Sequence, residues 1–155
     1  MKTIGKKPSL ARVAMILSLV LCLLICVPFS ACSPNRGKTD GVQVELGAST
    51  LFSRNELMSA VDCVKKEFVA FEDCELIRIW YDEERSNFIK ESYMTHGRGK
   101  ILRVTRENVI ILFSDFYVGP SAAGSFNLNS TYKNWNWILV REAANSPWRL
   151  DDYGY

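Results

Sequence analysis

Few side chains in this sequence have both the type and the setting that acid–base catalysis requires. The single histidine, His96, stands beside Gly97 in a polar stretch, which is typical of a solvated loop residue. Asp115 is better placed, because it lies in the apolar run VIILFSDFYV (109–118), where burial would raise the pKa of a carboxyl group. No histidine accompanies it in the pattern, so neither a catalytic dyad nor a hydrolase triad is indicated. Asp115 is a weak catalytic candidate, and a structural carboxylate is the favoured interpretation.

The five cysteines divide between an N-terminal apolar segment, with Cys22, Cys26 and Cys32, and the body of the chain, with Cys63 and Cys74. A disulfide requires Cα atoms about 4.4–6.8 Å apart. A cysteine in the middle of a predicted helix and another just beyond its end do not favour that distance. We therefore expect two free, buried thiols, with a disulfide as the alternative. No CxxC spacing indicates a redox motif or a zinc site.

Metal and cofactor sites are not indicated elsewhere either. The adjacent acids Asp151 and Asp152 would point to opposite faces of a strand. The stretch FNLNSTYKN (126–134) has asparagines but no acid, whereas a calcium loop needs spaced oxygen ligands. No glycine-rich phosphate loop is present in the sequence. We predict no metal and no cofactor.

Aromatic residues are the remaining signal for binding. Tryptophan and tyrosine combine a large apolar area with a polar atom, so they are enriched at binding surfaces, but they also fill the cores of small domains. Core packing is the favoured interpretation, and a surface for a partner or ligand is the alternative. The candidate binding surface consists of Trp80, Trp135, Trp137 and Tyr153.

The N-terminal segment has the order of a secretory signal. Only basic charges occur before residue 36, an apolar run follows over 13–29, and small residues precede Cys32. The segment Phe29-Ser30-Ala31-Cys32 resembles a lipobox, the signal of bacterial lipoproteins, although Phe29 stands where leucine is usual. This resemblance implies cleavage before Cys32 and a diacylglycerol on its thiol. An uncleaved membrane anchor or simple secretion is the alternative, since a span needs about 17–25 residues.

Removal of residues 1–31 changes the charge of the protein. The whole chain has 19 basic and 17 acidic residues, and four of the bases but none of the acids lie in that segment. The remaining 15 bases and 17 acids give a net charge of −2. A nucleic-acid partner is therefore not expected. The expected location is the extracytoplasmic face of the cell membrane, with the membrane bound through a lipid on Cys32.

The predicted domain organisation has three parts. Residues 1–31 form the signal peptide, and residues 32–41 form the acylated cysteine with a flexible stalk, because SPNRGKTDG is too polar to bury a face. Residues 42–155 form a single globular α+β domain.

Two helices are predicted in this domain. Ser53 and Glu56 form a capping-box pattern at the start of a long helix over about 54–71. Apolar residues then follow at helical spacing and form one stripe that predicts a core face. The stripe consists of Leu57, Val61, Val64, Phe68 and Phe71. A shorter helix is predicted over 86–95, with Ser86 as N-cap and Gly97 as terminator.

The predicted strands are rich in β-branched and aromatic residues and are joined by short connections, which favours an antiparallel meander. They cover 42–46, 75–82, 100–105, 109–118, 132–143 and 148–155. In 75–82, alternation places Ile77, Ile79 and Tyr81 on one face and Leu76, Arg78 and Trp80 on the other. In 135–140, Trp135, Trp137 and Leu139 face opposite to Ile138 and Val140. Both faces carry large residues, so the face without the long helix needs another cover or a ligand.

Several motifs are similar to those of a family of small lipoproteins from Gram-positive, clostridial-type bacteria. The motifs are YDEERSN, SYMTHGRG, NVIILFSDFYV, NSTYKNWNWILVRE and the closing WRLDDYGY. The resemblance covers residues 52–155 and implies no catalytic residues. The order of one long helix and a meander also resembles the cystatin-like or nuclear-transport-factor-2-like superfamily. That resemblance implies a long N-terminal helix packed on a curved antiparallel sheet of about four strands.

Two function classes follow from these observations. The favoured hypothesis is a membrane-anchored extracytoplasmic binding or interaction module of the cell envelope, whose partner is an envelope protein or a small apolar ligand. The alternative is a cone-fold enzyme that uses Asp115 as acid or base.

Overall fold

The computed structural model describes residues 35–155, so the predicted signal peptide and the predicted lipid site, Cys32, lie outside the described residues. Within this range the protein is a mixed α+β structure with five strands, three α-helices and one short 3₁₀ helix. The elements are β1 (Gln43–Leu46), α1 (Arg54–Phe68), β2 (Cys74–Tyr81), α2 (Glu83–His96), α3 (Arg98–Leu102), the 3₁₀ helix (Arg106–Asn108), β3 (Val109–Val118), β4 (Ser130–Val140) and β5 (Arg149–Gly154). No helix in residues 35–155 is both long enough and apolar enough to cross a membrane.

The strands form one open sheet in the order β1-β2-β3-β4-β5. Strands β2 to β5 pair antiparallel, as the predicted meander requires. β1 pairs with β2 in parallel, with Gln43 opposite Arg78, because α1 carries the chain back before β2 begins. The prediction of about four strands in a wholly antiparallel sheet is therefore wrong at this edge.

Helix α1 covers one face of the sheet. Its capping box is present, since Glu56 N donates to Ser53 Oγ (3.3 Å) and Ser53 N donates to Glu56 Oε2 (2.8 Å). The helix ends at Phe68, before residue 71, the predicted end. All five residues of the predicted stripe are nevertheless buried, because Phe71 turns into the same core from just beyond the helix.

Helix α2 packs on the opposite face of the sheet, and α3 packs against α2. The N-cap of α2 is Asp82, whose side chain accepts from Arg85 N (2.9 Å), so the prediction of Ser86 as the cap is wrong. Ser86 lies inside the helix and is fully buried, and its Oγ accepts from Ile111 N (3.2 Å). The predicted strand at 100–105 is also wrong, because α3 occupies 98–102. Gly99 allows this packing, since a Cβ there would lie 2.6 Å from Tyr93 Cε1.

A bulge in β2 changes the predicted alternation. The register between β2 and β3 shifts between Leu76 and Arg78. Leu76 therefore joins Ile79 and Tyr81 in the α1 core, whereas Ile77 is 42% exposed. The predicted placement of Leu76 and Ile77 is wrong, because one extra residue in a strand reverses the side-chain direction locally.

Residues 35–38, which the sequence predicts to be stalk, are bound to the domain. Gly37 N donates to Val69 O (3.1 Å), Lys38 N donates to Cys74 O (2.8 Å), and Asn35 O accepts from Asp73 N (2.6 Å). Lys38 also forms an isolated parallel bridge with Glu75. Residues 35–38 are therefore bonded to the segment that connects α1 with β2.

Candidate functional site

Asp115, the candidate acid or base, is bonded to an arginine side chain and to a backbone N–H group. Its Oδ2 lies 3.0 Å from Arg78 Nη2, and its Oδ1 accepts from Asn134 N (2.9 Å). Asn134 has a left-handed backbone (φ 59°), and Asp115 lies at the register shift between β3 and β4. The carboxylate therefore holds an irregular part of the sheet. His96 is exposed at the end of α2, which places it on a helix terminus and not in a loop.

The two cysteines of the domain are free, as expected. Cys63 is half-buried and its Sγ donates to Trp148 O (3.3 Å), whereas Cys74 is buried. Burial raises the pKa of both thiols, that of Cys74 to about 11, so neither is a reactive thiolate at neutral pH. No group of His, Cys, Asp and Glu side chains in residues 35–155 is arranged to hold a metal ion.

The four residues of the predicted binding surface do not form one surface. Trp137 is fully buried and its Nε1 donates to Ser114 Oγ (2.8 Å). Trp135 is 8% exposed, and both tryptophans contact Tyr153 at centroid distances of 6.0 and 5.7 Å. Trp80 lies on the opposite face of the sheet, 5.8 Å from Phe113, with the Arg78 guanidinium 4.1 Å from the centre of its ring. Of the four, only Tyr153 is well exposed, at 50%.

Trp135 and Tyr153 belong to a larger group of rings, which we call the aromatic end. It lies where β3 finishes and β4 begins, beside the turn after α1. Its members contact one another at centroid distances of 5.2–6.2 Å, mostly edge to face. They are Phe71, Phe116, Phe126, Tyr132, Trp135, Tyr153 and Tyr155. Phe71, Phe116 and Trp135 are buried, whereas Tyr153 and Tyr155 are exposed, Tyr155 by 77%.

A cavity of about 380 Å³ lies at the other end of the domain, where β3 begins. We call it the Lys90 cavity. Its lining is mainly apolar, and it is formed by the loop before α1, the middle of α2 and the 3₁₀ helix. The lining residues are Leu51, Phe52, Asn87, Lys90, Arg106 and Glu107.

Lys90 is the unusual member of this lining because its side chain is charged and only 1% exposed. Its Nζ donates to Arg106 O (3.3 Å) and lies 5.0 Å from the centre of the Phe52 ring. No carboxylate of residues 35–155 forms an ion pair with it. An ammonium group has three donors, so two remain for a ligand or water.

The electrostatic setting of Lys90 disfavours its charge. Burial, and after it the positive charge of Arg106, lowers the pKa of Lys90 from its ordinary value of 10.5 to about 8. The carboxylates of Glu83 and Glu107 act in the opposite direction but do not compensate. The group is still mostly protonated at pH 7, and an anion in the cavity would provide the missing counter-charge.

Arg141 shows how this domain treats a buried cation with a structural role. It is 5% exposed, and its guanidinium lies 2.8 Å from Glu56 Oε1 and 4.3 Å from the centre of the Trp148 ring. It also donates to Asn108 Oδ1, Ala144 O and Glu107 O at 3.2, 2.8 and 3.0 Å. Arg141 is therefore satisfied on every side, whereas Lys90 is not.

One wall of the cavity is held by Glu83, the first residue of α2. Its carboxylate accepts from Ser49 Oγ (2.5 Å), Thr50 Oγ1 (2.6 Å) and Thr50 N (2.8 Å), so the loop that carries Leu51 and Phe52 is fixed against α2. These bonds, first that from Ser49, lower the pKa of Glu83 to about 2. The wall therefore does not change with pH in the physiological range.

Residues 48–154 match a family model described as a domain of unknown function, DUF4829. The chain belongs to this family. The matched region of this DUF4829 protein begins after β1 and contains the complete lining of the Lys90 cavity. Comparisons with curated proteins and with solved structures gave no match.

Sequence reasoning missed the Lys90 cavity of the DUF4829 domain. Lys90 stands in the polar stretch EERSNFIKES, and nothing in that pattern distinguishes it from a solvated helix residue. A weak signal existed, because Lys90 follows Ile89 and precedes Tyr93 by three residues, which places it next to the buried face of α2. Its burial results from two segments distant in sequence, at 51–52 and 106–107.

Proposed function

We propose that this DUF4829 protein is a lipid-anchored, extracytoplasmic binding domain of the cell envelope and that the Lys90 cavity is its ligand site. The proposed ligand is a small molecule with an apolar body and one anionic group, such as a carboxylate. The observation that carries this proposal is the buried Lys90 ammonium, which faces a mainly apolar cavity with only one protein acceptor.

The size and chemistry of the cavity support this ligand class. Its volume of about 380 Å³ falls in the range of about 300–1,000 Å³ that is usual for small-molecule sites. Leu51 and Phe52 offer apolar contact, while Lys90 supplies two donors and a positive charge. A carboxylate would be held by charge-assisted hydrogen bonds, which are about twice as strong as neutral ones. Asn87 and Arg106, which also line the cavity, add further donors for an oxygen-bearing ligand.

The anchor belongs to the same proposal. The basic, apolar and small-residue order before Cys32 supports export and acylation at that residue. Two or more acyl chains hold a protein stably on a membrane, whereas one chain holds it weakly. The motifs shared with small clostridial-type lipoproteins support this location. The order of α1 followed by the antiparallel strands β2 to β5 supports a proposed relationship to cystatin-like folds.

Ligand binding can be tested by thermal unfolding of the full protein with a series of monocarboxylates and the alcohols of equal chain length. We expect hexanoate to raise the melting temperature in a saturable way and hexanol to have much less effect. Lys90→Met should abolish the effect of hexanoate. Lys66→Met, which removes an exposed lysine from α1, is the matched control and should respond like the parent.

The pH dependence of binding adds a second criterion. An anion stabilises the ammonium form, so the affinity for ionised hexanoate should be constant from about pH 6 to about pH 8 and should fall as Lys90 loses its proton above that pH. Equal responses of Lys90→Met and the parent, or no response to any carboxylate, would contradict the proposed ligand site.

The anchor is tested separately. Cells that express the parent should incorporate radioactive palmitate into this protein, and Cys32→Ala should abolish the incorporation. Cys26→Ala, which changes a cysteine in the apolar run, is the control and should leave the label unchanged. Undiminished label in Cys32→Ala would contradict acylation at Cys32.

A further inference from the structure

We infer that the aromatic end of the domain rests on the lipid surface that carries the anchor, with the Lys90 cavity facing away from it. This inference rests on the proposed acylation of Cys32. It adds an interaction surface, because a tether alone would leave the orientation of the domain free.

The first argument is the distance between the anchor and the domain. Only Ser33 and Pro34 separate Cys32 from Asn35, and Asn35 O accepts from Asp73 N at 2.6 Å. Three residue steps span at most about 11 Å. The headgroup layer of one leaflet takes up about 5–7 Å of that reach. The part of the domain around Asn35 and Asp73 is therefore held at the level of the headgroups.

The second argument is the composition of that part of the domain. Gly37 lies directly against the turn that carries Phe71, since a Cβ at Gly37 would be 2.9 Å from Phe71 O. Phe71 in turn contacts Phe126 (5.7 Å) and Tyr153 (5.4 Å) of the aromatic end. Exposed apolar and aromatic side chains are present at this end of the domain: Tyr117 at 38%, Leu128 at 48%, Tyr153 at 50% and Tyr155 at 77%. Tyrosine and tryptophan rings are enriched at the membrane–water interface because they are apolar with a polar edge.

The same geometry orients the ligand site. The Lys90 cavity is lined by Arg106 and Glu107, just before β3 begins at Val109, and the aromatic end lies where β3 finishes at Val118. Ten strand residues span about 30 Å, at about 3.3 Å per residue. With the aromatic end on the lipid surface, the cavity opens toward the medium, where a water-soluble anion can reach it.

The test uses the full, lipid-modified protein in phosphatidylglycerol vesicles that contain a phospholipid with a photoreactive diazirine on its headgroup. After irradiation, mass spectrometry locates the lipid adducts. We expect adducts in residues 117–133 and 153–155 to exceed those in residues 83–107 several-fold. The triple variant Leu128→Ser, Tyr153→Ser, Tyr155→Ser should lose most of the adducts. Phe88→Ser, which changes an 80% exposed ring on α2, is the control and should leave them unchanged.

Each contrary outcome has a separate meaning. Adducts concentrated in 83–107, where Phe88 and Ile101 are both 80% exposed, would overturn the orientation and leave the anchor intact. If the N-terminal peptide carries lipid on Cys32 but residues 35–155 carry no adducts, the orientation is again overturned and the anchor is again intact. An N-terminal peptide without lipid would overturn the anchor itself and, with it, this inference.

Discussion

The end of the domain at which β3 finishes is built from aromatic rings, whereas the end at which β3 begins buries two cations, Lys90 and Arg141. At the aromatic end, pairs of rings contribute about 0.5–1.5 kcal/mol beyond their buried area, although the buried Trp135 Nε1 has no hydrogen-bond partner among the described residues. At the cation end, Arg141 has four oxygen acceptors and Lys90 has one. The comparison separates a buried cation that is fully bonded, Arg141, from one with a single acceptor, Lys90, on which the proposed ligand site rests.

The largest expected effect is that of Phe68→Ala, which removes the ring that joins α1 to the aromatic end. Phe68 is fully buried and lies 5.1 Å from Phe71, 5.6 Å from Phe116 and 6.2 Å from Trp137. Truncation of a core phenylalanine costs about 3–5 kcal/mol. We expect a loss of that size in the free energy of unfolding, measured by urea titration. Lys66→Ala on the exposed side should change it by no more than about 0.5 kcal/mol. A parent-like melt of Phe68→Ala would mean that the packing described here is wrong.

A smaller loss of stability is expected from a substitution at Gly37, where the chain enters the domain. An added Cβ would meet the backbone oxygens of Phe68 and Phe71, so the segment must move. Overpacking typically costs about 1–3 kcal/mol. Gly37→Ala should lower stability by that amount and speed amide hydrogen exchange at Lys38, whose N–H is bound to Cys74 O. Gly41→Ala is not a suitable control, because Gly41 has a φ of 77°. Thr39→Ala is the control. If the parent, Gly37→Ala and Thr39→Ala show the same protection from amide hydrogen exchange, residues 35–38 are not fixed to the domain.

Lys90→Met should change stability in the opposite direction. The variant keeps an unbranched chain of similar length and removes a buried charge that has no acidic partner. A buried charge carries a desolvation cost on the order of several kcal/mol, and at Lys90 no ion pair offsets it. We expect an increase of about 1–2 kcal/mol at pH 7 without ligand, measured by urea titration. Arg141→Met, by contrast, should be destabilising, because it leaves Glu56 and three further acceptors without their donor. A loss of stability in Lys90→Met would assign Lys90 a structural role.

The pH dependence of stability gives a related prediction of smaller size. The pKa of Lys90 is about 8 in the folded protein and about 10.5 in the unfolded chain, so the unfolded chain binds more protons between these values. The free energy of unfolding of the parent should therefore rise from about pH 8 to pH 10.5, relative to that of Lys90→Met. Below pH 8 the difference between the two should be constant. Parallel curves through the whole window would contradict the lowered pKa.

The smallest effect on stability is expected at Tyr155, the most exposed ring of the aromatic end. Tyr155→Ser should change the free energy of unfolding by about 0.5 kcal/mol or less, because surface substitutions rarely do more. It should nevertheless reduce labelling by the photoreactive lipid. A large loss of stability would show that this ring belongs to the core, and its lost labelling would then not report on membrane contact.

Local patterns predicted the parts of the fold that depend on local spacing. The capping box at Ser53 and the stripe that follows it indicated α1 and its buried face, because residues three and four apart share one side of a helix. Alternation also predicted the faces of β4, where Trp137 lies on the α1 side and Val140 on the α2 side. The structural interpretation of Asp115 and the expectation of free thiols at Cys63 and Cys74 were confirmed as well.

Other features required contacts that no local pattern contains. The bulge that exposes Ile77 arises from the pairing of β2 with β3, and the parallel pairing of β1 depends on the path of the chain through α1. Residues 98–102 are helical, with Gly99 packed on Tyr93, although the sequence predicted a loop over 97–99 and an extended segment over 100–105. The segment around Gly37 appeared as a stalk because its hydrogen-bond partners lie more than thirty residues away.

The sequence by itself determined the α+β class, the α1 core face and the antiparallel pairing of β2 to β5, whereas the lipid site at Cys32 stays a prediction. Only the tertiary structure decided which polar groups are buried and which rings are exposed. Lys90 and Lys66 have the same chemistry in the sequence, yet Lys90 is 1% exposed and Lys66 lies in solvent. The physical reason is that desolvation depends on the surrounding atoms, and those around Lys90 come from Phe52 and Arg106, which are far apart in the chain.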